Sequence, residues 1–192
     1  MKSYPKLIQV VIFSSIVTPA WAHTGLSHTH SFVTGFMHPW SGVDHLLVMF
    51  AVGLFAGSSK ASVSVWLPVS FLLFMMFGAG LANLYIPLFA VENGIVLSLF
   101  SMGLLLIVMK QLSRIINFLL LAFFAFCHGY AHSIEMNPGD NEFIYLAGLL
   151  LSTALLLTLG ISACHLSINK LTTLRVLTGV ASIAAGTLTL AY

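Results

Sequence analysis

The sequence alternates between long apolar runs and short polar breaks. Each run holds about the twenty apolar residues that a helix needs to cross the hydrocarbon core of a bilayer. Breaks such as "KQLSR" and "NPGDNE" carry charged residues, Gly or Pro, which end helices. The pattern predicts six membrane-spanning helices, with close contacts between helices at glycines. The spans are expected at about 36–57, 61–82, 92–109, 115–136, 141–164 and 172–191, and the glycines are Gly53, Gly57, Gly78 and Gly80.

The composition agrees with a membrane location. Of the 192 residues, 59% are hydrophobic and only 6% are charged, whereas a soluble domain carries about 25% charged residues. So few charges cannot cover a water-facing surface, and the sequence therefore predicts an all-α integral membrane protein in contact with the lipid bilayer. The net charge of +2 is small and dispersed, which argues against a nucleic-acid partner.

The first 22 residues follow a different pattern. Two lysines precede an apolar run that is short for a membrane span, and the tripeptide "AWA" at 20–22 has the A-x-A form of a cleavage site. Residues 1–22 are therefore predicted to be a secretory signal peptide. Its removal would leave a six-helix domain at 23–192. An uncleaved first helix is the alternative interpretation.

The loop charges define an orientation. If the mature N-terminus lies outside, every basic loop residue falls inside and every acidic loop residue falls outside, as the positive-inside rule requires. This orientation places both mature termini outside the cytoplasm, which is the periplasm if the protein lies in a bacterial cytoplasmic (inner) membrane. A seven-helix chain with an uncleaved signal would place each of these loops on the same side of the membrane, so the loop charges do not distinguish the two interpretations. The basic residues are Lys60, Lys110, Arg114, Lys170 and Arg175, and the acidic ones are Glu92, Asp140 and Glu142.

The stretch "HPWSGVDHLLVM" places ionisable residues where the first predicted span begins. Pro39 suits the first turn of a helix, so the helix is expected to begin at His38. His38 and His45 are then seven residues apart and share roughly one face, while Asp44 is turned by about 100°. Met49 lies one turn beyond His45. Asp44 is either a direct metal ligand or a partner that orients a histidine.

A second cluster, "HGYAHSIE", ends the fourth predicted span. His128, His132 and Glu135 share one helical face, and two histidines at i and i+4 can hold a metal ion. The predicted topology places both clusters in the outer half of the bundle. Ionisable groups inside a membrane are costly and mark ion paths or relays. We therefore predict a metal site, with a proton relay or a structural polar network as alternatives.

The residue types narrow the choice of metal. Imidazole and carboxylate ligands suit Ni²⁺, Co²⁺ and Zn²⁺ alike, so the residue types do not choose among these three ions. The lack of a CxxC pair argues against copper(I). No organic cofactor is expected. Met49 is a candidate accessory ligand. His165 is interpreted as a solvated loop residue, with an exit site formed together with Cys164 as the alternative. Three histidines of the external lead-in are candidates for collecting ions: His23, His28 and His30.

The two motifs resemble those of a known family. "HPWSGVDHLLVMFAVGLFA" is similar to the HPxxGxDHxxxM signature of the HupE/UreJ family of nickel permeases, and "HGYAHSIE" resembles that family's other histidine-rich helix. The resemblance covers essentially the whole chain. It implies secondary transport of Ni²⁺, often in association with hydrogenase or urease. The positions that match the family motifs are His38, Asp44, His45, His128, His132 and Glu135.

Two other classes of function fit parts of the sequence. An intramembrane zinc hydrolase could use the same histidines and aspartate to activate water. An enzyme needs an open coordination position, whereas a permease needs a polar path to the far side. The inner half of the predicted bundle is nearly all apolar, which slightly favours the enzyme. A haem-binding accessory subunit is the third class, and the carboxylates argue against it.

Overall fold

The computed structural model describes residues 27–58, 66–82, 91–108 and 112–191, and the statements below refer to these ranges. The predicted signal peptide and His23 lie outside them. The described residues form seven helices and no strand, which confirms the all-α class. The helices are α1 (Ser27–Ser41), α2 (Val43–Gly57), α3 (Trp66–Ala82), α4 (Val91–Val108), α5 (Arg114–Ile134), α6 (Glu142–Ala163) and α7 (Ile168–Ala191).

Four of these helices, α4 to α7, are long and apolar enough to cross a membrane. The last four predicted spans agree with them to within four residues at either end. The described part of α3 is a shorter apolar helix, and α1 and α2 form a bent pair that would count as a fifth span. The total of six spans and the cleaved signal therefore remain predictions.

The first predicted span is not a continuous helix that begins at His38. That prediction was wrong, because α1 begins at Ser27 and His38 lies in its last turn. After a break at Gly42, α2 leaves at an angle of 82°. The break falls at Gly42, whose backbone is extended, and Pro39 weakens the last turn of α1 before it because it has no N–H to donate to the preceding turn. His38 and His45 therefore lie on two helices and not on one face.

Helix α6 supports both arms of the bent pair. A Cβ atom added at Gly35 of α1 would meet the carbonyl of Tyr145, and one added at Gly53 of α2 would meet the carbonyl of Leu157. Glycine is required at both points because two backbones touch. The later residue of the pair contacts the later residue of α6, so the bent pair runs in the same direction as α6. The predicted topology gives the first and fifth spans the same direction too.

The remaining helices pack through glycines in the same way. Gly78 of α3 touches the backbone of α5 at Phe126, and Gly103 of α4 touches Gly179 of α7. The expected glycine contacts are confirmed at Gly53, Gly57 and Gly78. The expectation for Gly80 was wrong, because this residue is exposed and no described atom lies within 4 Å of a Cβ added there.

Large apolar side chains lie on both the inside and the outside of the bundle. Phe55, Phe71 and Phe124 are buried between the helices, whereas Leu104 and Leu177 are more than half exposed. An apolar outer face is costly in water and favourable in lipid, so this distribution agrees with a membrane protein.

Candidate metal centre

Four histidines from three helices meet at one end of the bundle. His38 comes from α1, His45 from the first turn of α2, and His128 and His132 from α5. The ring centroid of His132 lies 4.7 Å from that of His38 and 4.3 Å from that of His45. The rings of His45 and His128 are 5.2 Å apart. The two clusters that the sequence separates by some 80 residues therefore form one group.

Two of these histidines and a carboxylate lie close enough together that they could hold one metal ion. One ligand atom each from His38, His132 and Glu135 lie within 4.8 Å of one another. The Nε2–H of His38 donates a 3.0 Å hydrogen bond to the Oε2 atom of Glu135, the residue that caps the C-terminus of α5. This hydrogen bond holds the pKa of the Glu135 carboxyl below its ordinary value. Glu135 therefore supplies a negative charge at neutral pH.

The buried histidines present nitrogen atoms that lack a protein partner. His128 Nδ1 lies 2.8 Å from the carbonyl oxygen of Phe124, which can only accept, so this nitrogen carries the proton and Nε2 presents a lone pair. Within the described ranges, His128 Nε2, His45 Nδ1 and both nitrogens of His132 have no hydrogen-bond partner. Each buried unpaired group costs about 1–3 kcal/mol. Such a cluster is typical of a functional site and not of a core selected for stability.

Asp44 lies beside this group in the first turn of α2. Its carboxylate is half-buried and sits near the N-terminus of the helix, where the helix dipole favours a negative charge. A Cβ atom added at Gly42 would lie 2.8 Å from Asp44 Oδ1 and 2.9 Å from His45 Cδ2. Asp44 and His45 thus flank the break between α1 and α2. Asp44 is not one of the three donors grouped within 4.8 Å.

Met49 and His30 are two further predicted site residues that the structure describes, and neither is among the four grouped histidines. Met49 is buried, and its sulfur accepts a 3.4 Å hydrogen bond from the Thr153 hydroxyl of α6, so its use as an accessory ligand remains a prediction. His30 is exposed on α1. His28 belongs to α1, but its side chain lies outside the described part, as does all of His23. The role of these three histidines in collecting ions also remains a prediction.

Tyr145 of α6 is a site neighbour that the sequence did not reveal. Its hydroxyl donates a 3.2 Å hydrogen bond to the carbonyl of His132, and its ring centroid lies 6.0 Å from that of His38. Tyrosine near the end of a membrane helix is ordinary, because the ring suits the boundary between lipid and water. No feature of the sequence distinguished Tyr145 from such a residue.

The fold and this group of side chains define a helical membrane protein with a histidine-rich centre at one end of its bundle. The family model described as HupE / UreJ protein matches residues 11–189. Protein HupE of Rhizobium leguminosarum bv. viciae is 33% identical over 168 residues, which are 87% of each chain. No solved structure matches. The chain belongs to the HupE/UreJ family, and the resemblance inferred from its two motifs is confirmed.

Proposed function

We propose that the protein is a secondary transporter that imports a divalent transition metal ion across the bacterial inner membrane. Ni²⁺ is the proposed cargo, with Co²⁺ and Zn²⁺ as alternatives. Family membership supports this class of function, and the resemblance of the two motifs to nickel permeases supports the choice of ion. The observation that carries the proposal is the group of buried histidine nitrogens that have no hydrogen-bond partner among the described residues and lie next to a carboxylate.

The exposure of the side chains suggests an order in which they meet the ion. Glu135 is 48% exposed and His38 is 21% exposed, whereas His45 is only 6% exposed and His128 and His132 are fully buried. An arriving cation would first meet the Glu135 carboxylate and His38, and would then pass to His132. His45 and His128 would receive it deeper in the bundle. Imidazoles and carboxylates would replace its lost water in this low-dielectric region.

The same donors also suit release. A transport site must bind strongly enough to admit the ion and weakly enough to let it leave. His38 and Glu135 are joined to each other by a hydrogen bond, so binding must replace this bond, which reduces the net gain. The sequence contains no nucleotide-binding motif. A membrane potential that is negative inside would favour cation entry by about 2.3 kcal/mol per charge per 100 mV, which makes potential-driven uptake feasible.

The orientation is part of the proposal. With both mature termini in the periplasm, the histidine group faces outwards and receives the ion from the periplasm. His30 is exposed on α1, the helix that carries His38, and this exposure supports the proposal that it gathers ions together with His23 and His28. Asp44 would offset the charge of the ion beside His45.

Uptake into proteoliposomes tests the proposal. Purified protein is reconstituted, a potential negative inside is imposed, and ⁶³Ni²⁺ uptake is measured for the wild type, His45→Ala and His165→Ala. We expect His45→Ala to lose at least about tenfold in uptake, because even the partners that orient metal ligands are worth about 10–100-fold. His165 is exposed in the turn after α6 and serves as the control.

Three outcomes would contradict this account. Normal uptake by His45→Ala would remove His45 from the pathway. A wild type that moves none of Ni²⁺, Co²⁺ and Zn²⁺ would refute transport. Metal-dependent cleavage of a lipid or peptide by that same wild type would instead favour the hydrolase alternative, which the family match does not support.

Gly42→Ala should weaken metal binding without unfolding the protein. The Gly42 backbone, at φ −103° and ψ 117°, is open to any L-residue, so only the new Cβ creates a conflict. This atom would push against the His45 ring and Asp44. We expect Ni²⁺ affinity to fall about tenfold, which corresponds to about 1.4 kcal/mol. Calorimetric titration with Ni²⁺ measures the affinity, Gly80→Ala is the matched control, and an unchanged affinity would contradict the prediction.

A further inference from the structure

We propose that Tyr145 is a positioning residue that sets the distance between the donors on α1 and those on α5, and thereby the preference of the site among divalent ions. This inference rests on the proposed function. Tyr145 is 2% exposed and lies in the first turn of α6, between the two helices that carry His38, His132 and Glu135.

The hydroxyl of Tyr145 fixes the end of α5. The last four carbonyls of a helix have no partner within the helix and need another donor. The Glu135 amide bonds the carbonyls of Ala131 and Ser133, and the Met136 amide also turns to Ser133, at 3.4 Å. The carbonyl of His132 is bonded instead by the Tyr145 hydroxyl, at 3.2 Å. This hydrogen bond ties the backbone of His132 to α6 three residues before Glu135.

The rest of Tyr145 fixes α1. Its ring meets the ring of His38 edge to face, with centroids 6.0 Å apart and planes at 72°. Its carbonyl lies against Gly35, one turn before His38, at a point where a Cβ would clash with the backbone. The backbone of Tyr145 therefore sets how closely α1 approaches α6, and its side chain reaches the donors on both neighbouring helices.

The distance between these donors matters for ion choice. Proteins distinguish divalent first-row ions by ligand type and geometry more than by raw affinity. Zn²⁺ accepts four ligands in a tetrahedron and adapts readily, because it has no geometric preference from its d electrons. Loosening the attachment of α5 to α6 should therefore affect Ni²⁺ and Zn²⁺ unequally. A residue that merely stabilised the fold would lower both affinities by the same factor or leave both unchanged.

The test compares wild type, Tyr145→Phe and Ser182→Ala, each as purified full-length protein in lipid nanodiscs. Ser182 is the matched control, because its buried hydroxyl also donates to a helix carbonyl, Thr178 at 2.9 Å, on a helix that carries none of the proposed donors. Ni²⁺ and Zn²⁺ are titrated separately. We expect Tyr145→Phe to bind Ni²⁺ about 3- to 10-fold more weakly, with a smaller change for Zn²⁺. Ser182→Ala should leave both affinities unchanged.

Hydrogen–deuterium exchange provides a readout that does not depend on metal. Without the tyrosine hydroxyl, the amides at 133–136 should exchange faster in Tyr145→Phe and not in Ser182→Ala. Unchanged exchange together with an unchanged ratio of Ni²⁺ to Zn²⁺ affinity would overturn the proposal. Equal weakening for both ions would also overturn it, because that result indicates a structural role alone. If the wild type binds neither ion, the proposed function fails, and faster exchange in Tyr145→Phe would still support its attachment of α5.

Discussion

Replacing His132 by alanine is expected to lower Ni²⁺ affinity at least about 100-fold while leaving the protein folded. His132 is the most central histidine of the described group, with ring centroids 4.7 Å from His38 and 4.3 Å from His45. Loss of a partner that only orients a ligand already costs about 10–100-fold, so loss of a direct donor should cost at least the upper value. Calorimetric titration of the purified variant with Ni²⁺ measures this change.

The stability of the same variant separates a ligand from a structural histidine. Both ring nitrogens of His132 are buried without a hydrogen-bond partner among the described residues. Removing the ring relieves these costs of about 1–3 kcal/mol each and leaves a cavity, whose cost is of similar size. We therefore expect the thermal midpoint to be unchanged or higher. His165→Ala is the control, and a large loss of stability with unchanged Ni²⁺ affinity would show that His132 is structural.

Gly129→Ala is expected to destabilise the bundle much more than the addition of a methyl group at an exposed glycine. A Cβ on Gly129 would meet the carbonyl of Met75 on α3, and a backbone atom cannot move aside by changing a rotamer. Adding a methylene to a packed core costs about 1–3 kcal/mol when side chains can adjust. Here the whole of α3 must move, so we expect a loss at or above the upper end of that range. The measurement is the yield and thermal midpoint of folded protein in detergent.

The matched control for Gly129→Ala lies on the opposing helix. Gly80 of α3 is exposed, and no described atom lies within 4 Å of a Cβ added there, so Gly80→Ala should leave the thermal midpoint essentially unchanged. Gly129 directly follows His128, one of the four histidines of the metal centre. A change in how α3 packs on α5 at Gly129 should therefore also disturb the metal centre. A Gly129→Ala protein as stable as Gly80→Ala would contradict the close packing of α3 on α5.

The apolar runs predicted most of the helices because hydrophobic length alone determines what can span a bilayer. The same pattern could not reveal the bend at Gly42, because it assigned most of α1 to an external lead-in and the rest to one continuous span with α2. Pro39 was assigned to the start of a helix, and the structure shows it near the end of one. Proline fits the first turn, and it also limits how far a preceding helix continues. Only the packing of α1 on α6 distinguishes the two cases.

The residue types and spacings singled out two histidine clusters, and the structure brings the four histidine rings of these clusters together. The sequence alone could not show which of these side chains lie close enough together to share one ion. It placed His38 and His45 on one helical face, whereas the structure brings His38, His132 and Glu135 together from two helices. Gly42 and Tyr145 could not be recognised as site residues from the sequence. Gly42 contributes only the space beside Asp44 and His45, and Tyr145 contributes a single hydrogen bond. Neither contribution produces a motif that a single sequence would show.

X-ray absorption at the nickel edge of the purified, Ni²⁺-loaded protein tests the central claim most directly. The account predicts about one ion per chain, with a first shell that contains imidazole nitrogen and carboxylate oxygen, because the grouped donors are His38, His132 and Glu135. In His132→Ala, this shell should lose imidazole scattering or the ion should be absent. A wild type without stoichiometric nickel, or with nickel in a shell that lacks imidazole, would contradict the account.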